Sequence, residues 1–459
     1  MPTGPRRMTD AWPIVAGELD APFANVVGGG VRTRRELVAD ATALAERLPA
    51  SGAMLNLSTD RYRFAVGLGA ALLRGQTSLL PPNHLADTVA RLRMRFAGVY
   101  ALVDGDDDEH GLPTVRHADR FAAGDDIDRI PAVDARLVAA HVLTSGSTGD
   151  PVPHAKPWGL LVANARAEAA RLAAAIGRAD LRTVSIVATV PAQHMYGFES
   201  SVLLALHGGA TLGASRPFFP ADVAAALAEA PAPRLLVTTP FHLKTIVDAD
   251  IAIASPALVL CATAPLSPQL AARAEERLGA PLLEIYGCTE AGQVATRRTV
   301  AGAEWHTFDG VRIDGDGDAV TVSGGHVPEP TVLADVLEVT GATTFKLLGR
   351  SNDLINVAGK RSSIAHLNFH LNTIRGVVDG AFWMPPDDDA NAVVRLVAFV
   401  VAPGVEREQI VAALRDRVDA AFLPRRVVHV DALPREATGK LTAERMAAFA
   451  KRLLHGEAR

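Results

Sequence analysis

Thr144-Ser145-Gly146-Ser147-Thr148-Gly149-Asp150-Pro151 follows directly on the apolar run Leu137–Leu143. Hydroxyls and glycines packed this densely make a loop whose backbone N–H groups can turn outward and surround phosphate oxygens. Glycine lets the backbone approach the anion, and the Ser and Thr hydroxyls add donors. A flexible surface linker has a similar composition, but its place after a buried strand favours a phosphate loop. The segment lacks the Gly-Lys-Ser/Thr ending of a Walker loop, which argues against an ordinary P-loop NTPase.

Outward from this loop, short apolar runs alternate with Ala-rich helical patterns. Ser185–Val190, Leu235–Thr239, Ala257–Cys261 and Pro281–Ile285 read as buried strands, with helices at Pro220–Glu229 and Pro268–Leu278 between them. Upstream, Thr33 to Leu48 sets Leu37, Val38, Ala41, Leu44, Ala45 and Leu48 on one helical face. Such alternation predicts α/β layers with parallel strands and ligands at their carboxyl ends. After about residue 349 the units shorten: strands at Arg395–Ala402 and Val427–Val430, helices near Ile364–Ile374 and Glu408–Ala421. The expected division is 1–349 for a large N-terminal domain and 350–459 for a small α+β domain. Charge divides at the same place, because 350–459 holds 16 Lys/Arg against 13 Asp/Glu, leaving a net −8 on 1–349.

Bulk properties exclude more than they assign. A chain of 459 residues needs two or three packed units, and 49% hydrophobic with 21% charged residues suits a soluble protein with a large core. The net charge of −5 gives no reason to expect nucleic acid as a partner. Two cysteines, Cys261 and Cys288, rule out a disulfide scaffold and fit a reducing, cytoplasmic setting. Met1 to Asp10 is no secretory signal, and no apolar run is long enough to span a bilayer.

Three further segments carry chemistry. Tyr286-Gly287-Cys288-Thr289-Glu290 closes a predicted buried strand, where a carboxylate beside a hydroxyl can hold Mg²⁺ against a phosphate. A plain polar turn would look much the same. Gly349-Arg350-Ser351-Asn352-Asp353, then Ile355 to Arg361, falls on the domain boundary. Pro434-Arg435-Glu436-Ala437-Thr438-Gly439-Lys440-Leu441 ends the set. A Gly-Lys tip on a small domain can carry one positive charge into a site on the large one, although a lone loop lysine is usually just solvated.

Each signal is modest, but their order and separation resemble the acyl-adenylate-forming superfamily of acyl-CoA synthetases, luciferases and peptide-synthetase adenylation domains. The resemblance extends over nearly the whole chain, Arg34–Leu48 and Val190 to Gly197 included. It implies a large α/β domain of layered parallel sheets with a small β-barrel part, and a small mobile C-terminal domain. It implies ATP and Mg²⁺ as cofactors. Thr144, Ser145, Gly146, Ser147, Thr148 and Gly149 would grip the β- and γ-phosphates, while Thr263, Ala264, Pro265 and Tyr286 flank adenine. Thr289 would touch the α-phosphate, Glu290 hold Mg²⁺, and Asp335 with Arg350 bind the ribose. Lys440 would bridge the attacking carboxylate and the α-phosphate. Asn352 falls at the hinge of a domain rotation that brings Gly359, Lys360 and Arg361 to the thiol tunnel.

Several positions depart from that pattern. Asn352 replaces the usual Asp or Lys of the hinge. Val152 follows Pro151 where Lys is common, with Lys156 nearby as a substitute, and Glu284 stands where Asn is common. The acyl pocket is expected between His194–Phe198 and Gly287–Cys288, with His194 as a gate. Met195 aligns with the aspartate that amino-acid-activating relatives use for the ammonium, which argues against an α-amino acid, though Glu199 is close by. Met195, Tyr196 and Phe198 suit an aromatic ring, or are plain core packing. Similarity to the short aryl-polyene and xanthomonadin pathway ligases implies a hydroxybenzoate passed to an acyl carrier protein. CoA with an aryl or fatty acid is the alternative acceptor reading, and the thiol partner is expected in trans. A non-catalytic adenylate-binding regulator and a generic Mg-ATPase are the readings from other classes.

Overall fold

The apolar runs downstream of residue 184 become neighbouring strands of one eleven-stranded sheet. The computed structural model describes residues 10–26, 28, 30–81, 83–105, 111–118, 124, 126–145, 151–317, 319–350, 354–357, 360–385, 396–435 and 441–455. Ser185–Ala188, Arg234–Thr238, Leu258–Cys261 and Leu282–Cys288 lie parallel in that sheet. Helical crossovers such as Pro220–Glu229 and Pro268–Leu278 return the chain to the same edge each time. Thr211–Gly213 and Pro22–Val26 extend the parallel part on the other side.

Beyond Leu282–Cys288 the connections shorten and the pairing reverses. Gly292–Arg297, Glu304–Thr307, Thr344–Arg350 and Asp335–Gly341 add antiparallel strands, so the sheet is mixed rather than purely parallel. An antiparallel three-stranded sheet of Arg312–Asp314, Thr321–Gly324 and Val327–Val332 stands beside it, tied on by a Gly317–Leu337 bridge. A second, six-stranded sheet carries Val138–Ser145 with Pro151–Pro157 as its antiparallel edge.

Alternation along the strands sorts side chains into layers. Ile186 and Ala188 face the main core shared by both sheets, while Val187 faces a second cluster under Pro220–Glu229 and Pro268–Leu278. The main core also takes the helices Arg34–Arg47, Arg61–Leu73 and Trp158–Ala175. The first of these starts where the sequence reads it to, because Thr33 and Glu36 form a reciprocal capping box.

The small C-terminal domain has its own core around a three-stranded sheet of Asp379–Trp383, Val397–Val401 and Arg426–His429. Two sequence expectations need correction. The helix expected over Glu408–Ala421 runs Arg407–Arg415 and stops; Asp419 then caps a separate 3₁₀ turn, Ala420–Phe422, by accepting from the Ala421 N–H at 3.0 Å. An aspartate competing for nearby N–H groups ends helices. The strand expected over Pro281–Ile285 continues to Cys288, because the antiparallel partner Gly292–Arg297 pairs its last residues. Among the described residues no helix is long and apolar enough to cross a membrane.

Candidate active site

Parallel strands point the same way, so everything that follows them gathers at one edge. His194–Met195 follows Ser185–Ala188, Thr263–Pro265 follows Leu258–Cys261, and Thr289–Glu290 follows Leu282–Cys288. Side chains stitch this edge together. The Tyr196 hydroxyl donates to the Leu260 carbonyl at 2.9 Å, and the Thr189 and Thr238 hydroxyls meet at 3.0 Å. Thr263 adopts φ +84°, alone among the described non-glycine residues in having a positive φ. For a β-branched residue that costs on the order of 1–3 kcal/mol, and such strain concentrates where a ligand is gripped.

Tyr286 and Asp335 lie far apart in sequence, yet the Tyr286 hydroxyl donates to Asp335 Oδ2 at 2.7 Å. The tyrosine ring is held in turn by Trp305 and Phe345, at 5.7 and 5.4 Å between centroids. Asp335 pairs in register with Arg350 across the two antiparallel strands. One expected adenine contact, Tyr286, and one expected ribose contact, Asp335, are thus joined directly. A bulge falls between Tyr286 and Gly287, and a Cβ at Gly287 would stand 2.4 Å from the Gly292 carbonyl oxygen, so only glycine fits. The turn then presents Gly287 and Glu290 exposed and Thr289 half-buried. Glu290 lies 3.8 Å from the His154 imidazole.

Lys156, the suggested substitute for the missing lysine, reaches this turn from beneath. Its ammonium donates to the carbonyl oxygens of Thr289 and, at 3.2 Å, of Glu290. Val152, where the lysine was expected, is exposed. Burial lowers the Lys156 pKa, and Glu199, Cys288 and Glu290 oppose that fall. Burial pushes the Cys288 thiol up to about 12, so it stays protonated near neutral pH.

The glycine-rich loop sits at the tip of an antiparallel hairpin, in which Ser145 pairs with Pro151. Thr144 and Ser145 end the strand Val138–Ser145, whereas Gly146, Ser147, Thr148 and Gly149 lie outside the described residues. Asn352, Gly359 and Lys440 lie outside them too. Arg350 ends Thr344–Arg350, and Lys360 with Arg361 opens Lys360–Ser363. Lys360 forms an ion pair with Asp419. Just before the Lys440 segment, Arg435 grips Asp379 through two hydrogen bonds of 2.8 and 2.7 Å.

His194, Met195 and Cys288 are partly exposed, as a pocket wall requires. Phe198 corrects the expectation: it is fully buried, edge-on to Phe64 at 6.4 Å, and serves the core. Glu284 is buried in an ion pair with Arg297, Nε to Oε2 2.6 Å, and also accepts from Thr299. Sequence reading missed Asn164, Glu168, Ser200 and Gln293, all buried beside Glu199. A signal was present: Asn164 and Glu168 are one helical turn apart, on the face that also buries Leu161 and Leu172.

Residues 62–346 match the family described as AMP-binding enzyme, and residues 386–440 match the AMP-binding enzyme C-terminal domain. A 4-coumarate–CoA ligase of Rhodobacter capsulatus is 31% identical over 306 residues, covering 65% of this chain and 73% of the relative. ATP-bound MatB from Rhodopseudomonas palustris has a similar fold, with TM-score 0.77 and 19% identity over 95% of this chain and 97% of its own. The anthranilate CoA ligase AuaEII, in complex with anthranoyl-AMP, gives TM-score 0.77 and 16% identity, covering 95% of each chain.

Proposed function

The chain belongs to the AMP-binding enzyme family, an AMP-forming acid–thiol ligase, and we propose that it activates a hydroxybenzoate-type aryl acid with ATP and passes the acyl group to the thiol of an acyl carrier protein. The observation that supports the reading is the Tyr286–Asp335 hydrogen bond beside the Thr289–Glu290 turn, which joins positions expected to bind the nucleotide from distant parts of the chain at one strand edge.

The chemistry follows from charge. The ionised carboxylate attacks the α-phosphorus, pyrophosphate leaves, and a mixed anhydride forms. A thiolate then attacks the acyl carbon and AMP leaves. Both partners of the first step are anions, so catalysis consists of positioning and neutralisation. Thr289 offers a hydroxyl to the α-phosphate, and the loop Thr144 to Gly149 offers donors to the outer phosphates. Lys440 supplies a cation between carboxylate and phosphate, and Asn352 marks the hinge about which it withdraws. Glu290 suits Mg²⁺: one exposed carboxylate at a turn tip is what that ion takes alongside substrate phosphates. Bound there, Mg²⁺ would neutralise part of the phosphate charge.

The acceptor is an external thiol. Cys261 is fully buried and Cys288 stays protonated, so neither serves as a resident nucleophile. The +3 small domain, with Arg425 and Arg426, suits an acidic carrier protein. CoA is the second reading, favoured by the names of the 4-coumarate and anthranilate relatives. Those names also support an aromatic acid.

Acid-dependent ATP–pyrophosphate exchange tests the proposal, across hydroxybenzoates, other aryl acids, fatty acids and amino acids. Exchange with hydroxybenzoates, lost in Lys440→Ala, is expected. Exchange confined to fatty or amino acids would overturn the substrate assignment. No exchange with any acid, with Lys440→Ala indistinguishable from wild type, would overturn catalysis itself.

A further inference from the structure

Beneath the Gly287–Gly292 hairpin lies a group of buried polar side chains with too few partners. Glu168, on the helix Trp158–Ala175, has no exposed surface, and neither carboxylate oxygen has a hydrogen-bond partner. Ser200 and Gln293 lie close enough to restrain its pKa, and Gln293 Nε2 donates to Ser200 Oγ at 2.8 Å. Asn164 Nδ2 donates to Glu199 Oε1 at 2.6 Å, leaving Asn164 Oδ1 unpaired, as is Gln293 Oε1. Glu199 feels both Lys156 and Glu168. Burial lifts Glu168 to about 7 and raises Glu199 as well. His326, whose Nε2 meets the Gln293 carbonyl at 2.6 Å, closes the far side, its Nδ1 also unpaired.

With Glu168 ionised, the unpaired atoms are mostly acceptors: two on Glu168, one on Asn164, one on Gln293. Buried polar groups left unpaired are costly, and a cluster of them beside a site is where a water or a ligand group gains most by binding. Two features connect the group to the acyl side of the site. Gln293 is the cross-strand partner of Gly287, one of the expected pocket residues. At Gly292, where φ is +79°, a Cβ would crowd Glu199 Oε1 at 3.2 Å and would stand 3.5 Å from Asn164 Nδ2, so the hairpin backbone lies directly against the group. Lys156, the cation that Glu199 feels, already gives hydrogen bonds to the Thr289 and Glu290 carbonyls.

We infer that Glu168, Asn164 and Gln293 form a specificity site for an acyl substrate bearing a hydrogen-bond donor, hydroxyl or amino, which they recognise as acceptors. This rests on the adenylation reading above. A hydrocarbon acid would leave four acceptors unpaired, and sites of that kind reject ligands that lack the matching donor.

Exchange kinetics with hydroxybenzoates, aminobenzoates and unsubstituted benzoate test it, in wild type, Glu168→Gln and Glu168→Met. Wild type is expected to favour a hydroxy- or aminobenzoate over benzoate by at least about 100-fold in kcat/KM. Which of the two donors is preferred identifies the group bound. In Glu168→Met the preference is expected to fall at least tenfold, mainly through KM, while its melting temperature is no lower than wild type. Glu168→Gln is expected to fall between them. Equal use of benzoate by wild type would overturn the inference and leave adenylation standing. So would a Glu168→Met protein that is folded and keeps the full preference. No exchange with any acid would instead overturn the reading on which the inference rests, and the inference with it.

Discussion

Two buried carboxylates flank the strand Gly292–Arg297, and they live in opposite ways. At its far end Glu284 is saturated, with Arg297 and Thr299 on its oxygens and the Arg297 guanidinium lying 4.6 Å from the Trp305 ring centroid. At its near end Glu168 sits beside Gln293 with both oxygens unpaired. The same residue type, equally removed from water, is a structural rivet in one place and an open acceptor in the other. A closed hydrogen-bond set fixes strands; an open set next to the site waits for a ligand.

Removing the rivet should produce the largest effect. Glu284→Ala leaves the Arg297 charge buried without its partner, which typically costs about 3–5 kcal/mol. A large drop in denaturant midpoint is the expected result; an unchanged midpoint would dissolve the contrast. The pH dependence of Glu168 comes next. Its folded pKa, about 7, stands above the ordinary 4.5. The unfolded chain therefore gives up this proton first as pH rises. Native stability from this group is complete below about 4.5, falls as pH climbs, and has levelled off above about 7. Against Glu168→Gln, wild type should lose about 3 kcal/mol across that window. A flat difference between the two, measured by denaturation at several pH values, would mean Glu168 is paired after all.

The smallest expected effect belongs to Lys156, the cation at the open end. It spends its donors on carbonyls of the turn rather than on a carboxylate. Lys156→Met should lower kcat for exchange about 10–100-fold, as loss of a supporting contact typically does, with the acid preference kept. A shift in acid preference without a loss of kcat would place Lys156 with the acyl group instead.

Much of this was legible from residues alone, for reasons that differ by element. The apolar face from Leu37 to Leu48 announces a helix because its period is local, and the structure adds the Thr33–Glu36 capping box that starts it. Pro220–Glu229 and Pro268–Leu278 carry proline at their starts, where its missing N–H costs nothing, and both helices keep their expected bounds. Tyr286 to Glu290 could be singled out because a hydroxyl and a carboxylate stand together where a predicted strand closes, yet that strand was read three residues short. That extension depends on Gly292–Arg297, a partner whose pairing no local rule gives. Phe198 looked like a pocket wall by its neighbours in sequence, but the π-helical turn Phe198–Leu203 and the Phe64 ring decide its direction.

The sequence by itself determined the α/β layering, the order of the signature segments and the family they resemble. Those properties rest on short-range periodicity and on residues whose backbone preferences are intrinsic. Only the tertiary structure decided that Tyr286 bonds Asp335, that Lys156 holds the Thr289–Glu290 turn, and that Glu284 is paired while Glu168 is not. Hydrogen-bond satisfaction is a property of three-dimensional neighbours, and a glutamate carries no local mark of whether a partner will be waiting for it.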